Sequence, residues 1–130
     1  MYEFHGWVTV RDSAADGDAE ATRHAAGLIE AKIVELGLGP GLVDLRWVDG
    51  EAQLHLGGFA NRRAAGGDDA LALFAYAGEV APGSYGLFHA YDDEDRAHAN
   101  EFRVGVMRRG TITWTTDTLL SPVVPAIEDP

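Results

Sequence analysis

The residues with the clearest chemical potential form an unbroken acidic run, which consists of Asp92, Asp93, Glu94 and Asp95. Consecutive carboxylates can pair with arginine or lysine side chains of a protein partner, which steers encounter and fixes register. Their oxygens could also bind Ca²⁺, but the glycine and the distal glutamate of an EF-hand loop are missing. Three interpretations stay open: a partner-binding patch, a solvated loop partly neutralised by Arg96, and a metal site.

The histidines form a second candidate group, which comprises His5, His24, His55, His89 and His98. None of them stands in a spacing typical of a zinc site. His5, His55 and His89 fall on three separate predicted strands, so they could converge on one face of a sheet. A metal or catalytic cluster and a set of hydrogen-bonded sheet histidines are the alternatives, and we favour the second. We therefore predict no catalytic residue, no metal ion and no cofactor.

The remaining residues offer few candidates for nucleophilic catalysis or phosphate binding. The chain has no cysteine, which excludes disulfides, thiol nucleophiles and cysteine-based metal sites. The serines Ser13, Ser84 and Ser121 lie outside any Gly-x-Ser-x-Gly motif, and no phosphate-binding glycine loop occurs. The sequence favours a binding protein over an enzyme.

The elements that position these residues follow from hydrophobic periodicity. The predicted helices cover residues 19–36 and 70–80, and the predicted strands cover residues 2–10, 42–48, 51–59, 84–91, 101–108 and 111–116. The resulting order is β-α-β-β-α-β-β-β, an α+β fold in which one mostly antiparallel sheet packs both helices on one face. Residues 1–130 form a single domain whose extended tail, residues 118–130, includes three prolines.

Local signals predict where these elements begin, turn and end. Asp16 or Asp18 caps the first helix, and Asp68 or Asp69 caps the second. Gly37 ends the first helix, and the run Gly39-Pro40-Gly41 prevents its continuation. An Asp-Gly pair at residues 49–50 predicts a hairpin between two strands.

The alternation of residues along the predicted strands indicates the sheet face on which each of two tryptophans lies. Trp47 shares a face with Val43 and Leu45, which predicts a core position. Trp7 lies on the more polar face of the first strand, where it is either an anchor for a partner or packs under the tail. The tail residues that could cover it are Val123, Val124 and Ile127.

The charge balance narrows the choice of partner. Ten Lys and Arg residues against 21 Asp and Glu residues give a net charge of −11 and a pI near 4.6. Such a chain repels phosphate backbones and attracts basic protein surfaces, so we expect a basic protein partner rather than nucleic acid. The N-terminus lacks a basic and apolar leader and no membrane span is evident, so we expect a cytoplasmic protein.

Several short stretches, taken in their order along the chain, resemble the immunity protein 7 family of bacterial polymorphic toxin systems. They are YEFHGW at 2–7, GSYGL at 83–87, DDEDR at 92–96, NEF at 100–102, MRRG at 107–110, LSP at 120–122 and PAIED at 125–129. The resemblance implies an α+β protein that is encoded beside a toxin and that neutralises it by binding. That role requires no catalysis, cofactor or export.

The expected contacts with a toxin domain combine this implied role with the residue chemistry above. They are the four acids Asp92, Asp93, Glu94 and Asp95, the neighbouring Tyr91, and Trp7 as an aromatic anchor. The rival hypotheses are a small-ligand or regulatory module with a pocket on the open sheet face, and a small enzyme that uses His5, His55 and His89. The sequence leaves the oligomeric state open.

Overall fold

The computed structural model describes residues 1–15, 17–38 and 41–129. The helices are α1 (Ala19–Leu36) and α2 (Gly67–Val80), and the strands are β1 (Tyr2–Val10), β2 (Leu42–Val48), β3 (Glu51–Ala60), β4 (Tyr85–Asp92), β5 (Arg103–Arg108) and β6 (Thr111–Thr116). Short 3₁₀ turns lie at Arg63–Ala65 and Arg96–His98. This is the element order predicted from the periodicity.

All six strands form one antiparallel sheet in the order β2-β3-β1-β4-β5-β6. The predicted α+β class and the single antiparallel sheet are confirmed. β1 lies in the middle, between β3 and β4, as a ferredoxin-like order requires. The side chains of the first strand therefore have neighbours on both sides.

Alternation within the strands creates two unlike sheet faces. Tyr2, Phe4, Val8 and Val10 of β1 point to one face and are buried. Both helices cover this helix face. At its aromatic centre, the Phe88 ring centroid lies 5.7 Å from that of Phe4 and 5.3 Å from that of Phe74. The opposite, open face carries the odd-numbered residues of β1.

The first helix begins and ends as predicted. The Asp18 carboxylate accepts a hydrogen bond from the Glu20 backbone N–H at 2.9 Å, and Gly37 ends the helix with a φ of +53°. Asp16, Gly39 and Pro40, which also carried predictions, lie outside the described residues.

The second helix begins earlier than predicted. Its N-cap is Gly66, which offers no side-chain hydrogen bond, and Asp68 and Asp69 lie within the first turn instead of capping it. At Gly67 a Cβ would overlap the Tyr2 ring, so the absent side chain lets the helix start directly against β1. The two acids still face the positive end of the helix dipole.

The predicted hairpin is confirmed by the backbone of its turn, where Asp49 and Gly50 have φ values of +51° and +82°. The prediction that Trp47 belongs to the core is wrong. Trp47 points to the helix face, but β2 is an edge strand, so the side chain stays 45% exposed. The alternation of residues along a strand predicts the sheet face to which a side chain points. Whether the side chain is buried also depends on what covers that face.

Candidate partner-binding surfaces

The acidic loop, defined as residues 92–95, lies where β4 leaves the sheet. Asp92 is opposite Tyr2 of β1 in the strand register. The Asp93 carboxylate accepts a hydrogen bond from the Met1 amino group at 2.5 Å. Asp95 accepts one from the Ala97 backbone N–H at 3.2 Å and so caps the following 3₁₀ turn. The loop is thus held at a fixed place beside the chain's start.

Tyr91 precedes this loop, but it is only 6% exposed. Its ring lies edge-on to Phe102, with 6.0 Å between the ring centroids. Burial, helped by the charges of Asp93 and Asp92, raises the pKa of the Tyr91 hydroxyl. Tyr91 has little surface to offer a partner, and its contact with Phe102 supports the strand end from which the loop departs.

The open face of the sheet carries Trp7 near its centre. Trp7 lies opposite His55 on β3 and opposite Leu87 on β4. Its ring meets the Tyr85 ring edge-on, at a centroid distance of 6.0 Å. The large side chains of Tyr85, Leu87 and Phe59 on this face are exposed, the last by 62%. Exposed aromatic and aliphatic surface of this kind is typical of interaction sites.

The three strand histidines share this open face. His5 is directly opposite His89, and His55 is diagonal to His5 because it faces the neighbouring Trp7. His5 Nε2 lies 3.1 Å from the Glu3 carboxylate, and His89 Nε2 donates to Asp117 at 2.9 Å. Among residues 1–15, 17–38 and 41–129, no group of three or more His, Asp or Glu side chains is placed to hold a metal ion. Two of the three strand histidines, His5 and His89, therefore contact a carboxylate of the chain.

The C-terminal tail is anchored at two polar points. Asp117 accepts hydrogen bonds from His89 and from the Leu119 backbone N–H. These hydrogen bonds, with the one from His89 the strongest influence, lower the pKa of the Asp117 carboxyl. Further along, the Asn100 side chain bonds the backbone of residues 123 and 124. The anchor at Asn100 does not favour the interpretation in which residues 123–127 cover Trp7.

A cavity of about 340 Å³ lies beside the acidic loop, at the helix face of the sheet. It is lined by Tyr2, Arg63, Leu71, Ala90, Asp92, Asp95, His98, Glu101, Arg103 and Trp114. The Trp114 ring lies over Gly105, where a Cβ would be 3.0 Å from it, and is 40% exposed. We did not predict this cavity from the sequence, although alternation in β6 places Trp114 on the helix face.

The cations that line this cavity are already engaged. Arg63 pairs with Asp68 at 3.0 Å, and Arg103 donates to the Thr116 hydroxyl. Thr116 in turn donates to Glu101 at 2.6 Å, and this bond lowers the pKa of the Glu101 carboxyl. Asp92 and Asp95 accept backbone hydrogen bonds, and the ion pairs of the described residues include neither of them.

A family model described as Immunity protein 7 matches residues 1–129, which is almost the whole chain. The chain belongs to this family. The match extends over the middle of the sequence, where no motif of the family could be placed by inspection. The resemblance to the immunity protein 7 family that its short stretches indicate is therefore confirmed.

Other comparisons add little to this family assignment. No curated protein matches the immunity protein. A solved structure, that of a phage SAM lyase in complex with S-methyl-5'-thioadenosine, aligns over 88% of each chain with 12% identity and a TM-score of 0.38. At that TM-score the likeness carries no argument about function. None of the helices in the described residues has the length and apolar character to cross a membrane.

Proposed function

We propose that this protein binds the toxin domain encoded beside it and neutralises that toxin in the cytoplasm by forming a tight complex. The observation that carries the proposal is the family match over residues 1–129. Inhibition by occupancy needs no reaction and no cofactor, only a complementary surface that stays bound. The expected partner is a protein, and the exposed features described above are the surface that it would meet.

The charge of the chain supports a basic partner. A net charge of −11 on 130 residues gives a field that accelerates encounter with a positively charged surface. Toxins that cleave nucleic acid bind their substrate with basic surfaces, and an acidic inhibitor is suited to occupy them. A nuclease is therefore the toxin class that the charge favours.

Trp7 lies on the open face and the acidic loop leaves the end of β4, so one partner would contact both by extending around that end of the sheet. Asp92 is level with Tyr2, and Trp7 follows five positions later on the same strand, a distance of roughly 17 Å at the usual rise per strand residue. A protein interface of ordinary size, which buries about 800 Å² per partner, spans such a distance. The loop would supply charge pairing and Trp7 an aromatic anchor.

Co-expression with the C-terminal domain encoded immediately upstream tests the proposal. We expect the chain to restore growth of cells that produce the toxin domain, and we expect the two proteins to purify together at moderate salt. If a demonstrably toxic domain still kills the cells, and the folded chain does not purify with it, this pairing is wrong.

A double charge reversal tests the loop separately. Asp93→Lys with Asp95→Lys should weaken toxin binding by at least about tenfold and flatten its dependence on salt. The control is Glu30→Lys with Glu79→Lys, which makes the same charge change on the exposed faces of α1 and α2. Equal weakening by both pairs would remove the loop from the interface and leave only a general charge effect.

A further inference from the structure

The cavity beside the acidic loop is lined by a buried residue that carries a polar group. Tyr2 is only 3% exposed and lines the cavity. The side-chain hydrogen bonds found among the described residues do not include its hydroxyl. Burial raises the pKa of this hydroxyl to about 12, while the charge of Arg63 lowers it and that of Asp92 raises it by smaller amounts. A tyrosine hydroxyl can both donate and accept a hydrogen bond, so this group is available to a molecule that enters the cavity.

The carboxylates around the cavity outnumber its cations. Asp92, Asp95 and Glu101 line it, and Asp68 stands beside Arg63. The basic side chains in the lining are Arg63, Arg103 and His98, and each already contacts an acceptor of the chain, His98 with Glu101 at 3.4 Å. Because Asp92 and Asp95 each use one oxygen for a backbone N–H, each retains a second carboxylate oxygen. The excess of acceptors favours a cationic occupant with several donors.

The Trp114 side chain in the cavity lining favours one kind of cation over another. Trp114 presents an exposed ring beside these carboxylates, and a tryptophan face attracts a cation placed over it. A guanidinium group is planar, stacks on aromatic rings and carries five donors, whereas an ammonium group is a compact charge. A volume of about 340 Å³ leaves room for one arginine side chain. The described residues offer no metal-binding group that would favour an ion instead.

We propose that this cavity receives one arginine side chain of the toxin, held between Trp114 and the carboxylates of Asp92 and Asp95 with the Tyr2 hydroxyl at its base. The proposal rests on the proposed function, since the arginine belongs to the neutralised toxin. It divides the acidic loop into two parts. Asp92 and Asp95 bind the arginine within the cavity, while Asp93 and Glu94 contribute only to the surrounding field.

Two matched variants separate these roles in a binding assay with the purified toxin domain. Asp92→Asn with Asp95→Asn keeps the side-chain oxygens that accept from the backbone and removes two charges from the cavity. Asp93→Asn with Glu94→Gln removes two charges from the same loop outside the cavity. We expect the first pair to raise the Kd by about 30-fold or more and the second by less than about fivefold, because hydrogen bonds to charged groups are the stronger ones.

Equal effects of the two pairs, with wild type still binding, would refute the arginine site and leave the proposed function intact. Thermal unfolding of each variant checks that it folds. If the cavity pair does not fold, Trp114→Leu replaces it, and a rise in Kd of about fivefold or more is expected from the lost cation–π contact. An unchanged Kd for Trp114→Leu would contradict the proposal.

A titration without toxin tests the cavity even if no toxin complex forms. The probe is N-acetylarginine amide, and the control is N-acetylcitrulline amide, which has nearly the same shape and no charge. We expect only the arginine probe to shift the NMR signal of the Trp114 indole N–H. This shift should vanish in the variant with Asp92→Asn and Asp95→Asn. Identical responses to both probes, or no response at about 100 mM, would overturn the proposal.

Discussion

The two faces of the sheet use the same strands for opposite purposes. On the helix face of β4, Phe88 is completely buried among Phe4 and Phe74. One residue earlier on the same strand, Leu87 is 37% exposed on the open face, near Trp7. Strand periodicity alone generates this contrast, because adjacent side chains point in opposite directions. Stability resides on one face, and surface for a partner is available on the other.

The helices do not cover all parts of the helix face equally. The cavity lies where this cover is incomplete. α2 covers β1 and β4, where Leu73 and Phe74 are fully buried. At β6 the same face leaves Trp114 partly exposed beside Arg103. The candidate binding features therefore lie where the helices leave an aromatic side chain of the sheet exposed, whichever face it is on.

The largest expected difference in the free energy of unfolding comes from replacing one residue by alanine on each face. Phe88→Ala should lower the free energy of unfolding by about 3–5 kcal/mol, since it empties a packed aromatic site. Leu87→Ala, its neighbour on the open face, should cost less than about 1 kcal/mol. Denaturant unfolding measures both, and similar losses would break the distinction between the faces.

Replacement by alanine should change the stability in opposite directions at two helix glycines. A Cβ at Gly78 of α2 would lie 2.5 Å from the Gly110 carbonyl oxygen, so Gly78→Ala should cost about 1–3 kcal/mol. Gly27 of α1 is exposed with nothing within 4 Å of such a Cβ, so Gly27→Ala should stabilise by about 0.5–1 kcal/mol. A stabilising Gly78→Ala, seen in the thermal midpoint, would show that α2 does not pack closely against this turn.

The tail anchor should depend on pH. The pKa of Asp117 lies below its ordinary 3.8 in the folded chain because His89 and backbone groups bond its carboxylate. Its ionised form therefore stabilises the fold above that value, and the contribution is lost as the pH falls through the lower folded-state pKa.

Asp117→Asn should consequently cost about 1 kcal/mol near neutral pH. The loss should shrink towards acid, where the wild-type carboxyl is also neutral. The control is Asp129→Asn, which removes one charge from the exposed end of the same tail. Unfolding curves at several pH values check this, and a loss that is the same at every pH would exclude the ionised anchor.

The smallest effect is expected at the exposed edge of the open face. Phe59 is 62% exposed, and its ring touches His5 only edge-on, with 6.4 Å between the centroids. Phe59→Ser should change the free energy of unfolding by no more than about 0.5 kcal/mol. A loss above about 2 kcal/mol would mean that this face is also part of the packed core.

Most of the fold could be predicted from local sequence signals. The bounds of β1, α1, β2 and β6 agree with the periodicity, and the Asp49-Gly50 turn has the backbone expected of it. The start of α2 could not be predicted, because it depends on Gly67 meeting Tyr2, a residue 65 positions earlier. The exposure of Trp47 likewise follows from the edge position of β2 in the sheet.

The candidate site was only partly visible in the sequence. The acidic run and the polar face around Trp7 are local patterns and could be identified directly. The cavity joins Tyr2, Arg63, Asp92 and Trp114, which come from four distant segments. No spacing rule connects such residues, so only the folded chain shows that they meet.

The affinity of the purified chain for its proposed partner, the toxin domain expected to be encoded immediately upstream, tests the central claim most directly. We predict a Kd on the order of nanomolar or lower, as lasting neutralisation requires. We also predict that the complex weakens with rising salt, because the acidic chain is drawn to a basic surface. Absence of binding at micromolar concentrations, with both proteins folded and the toxin active, would contradict the account.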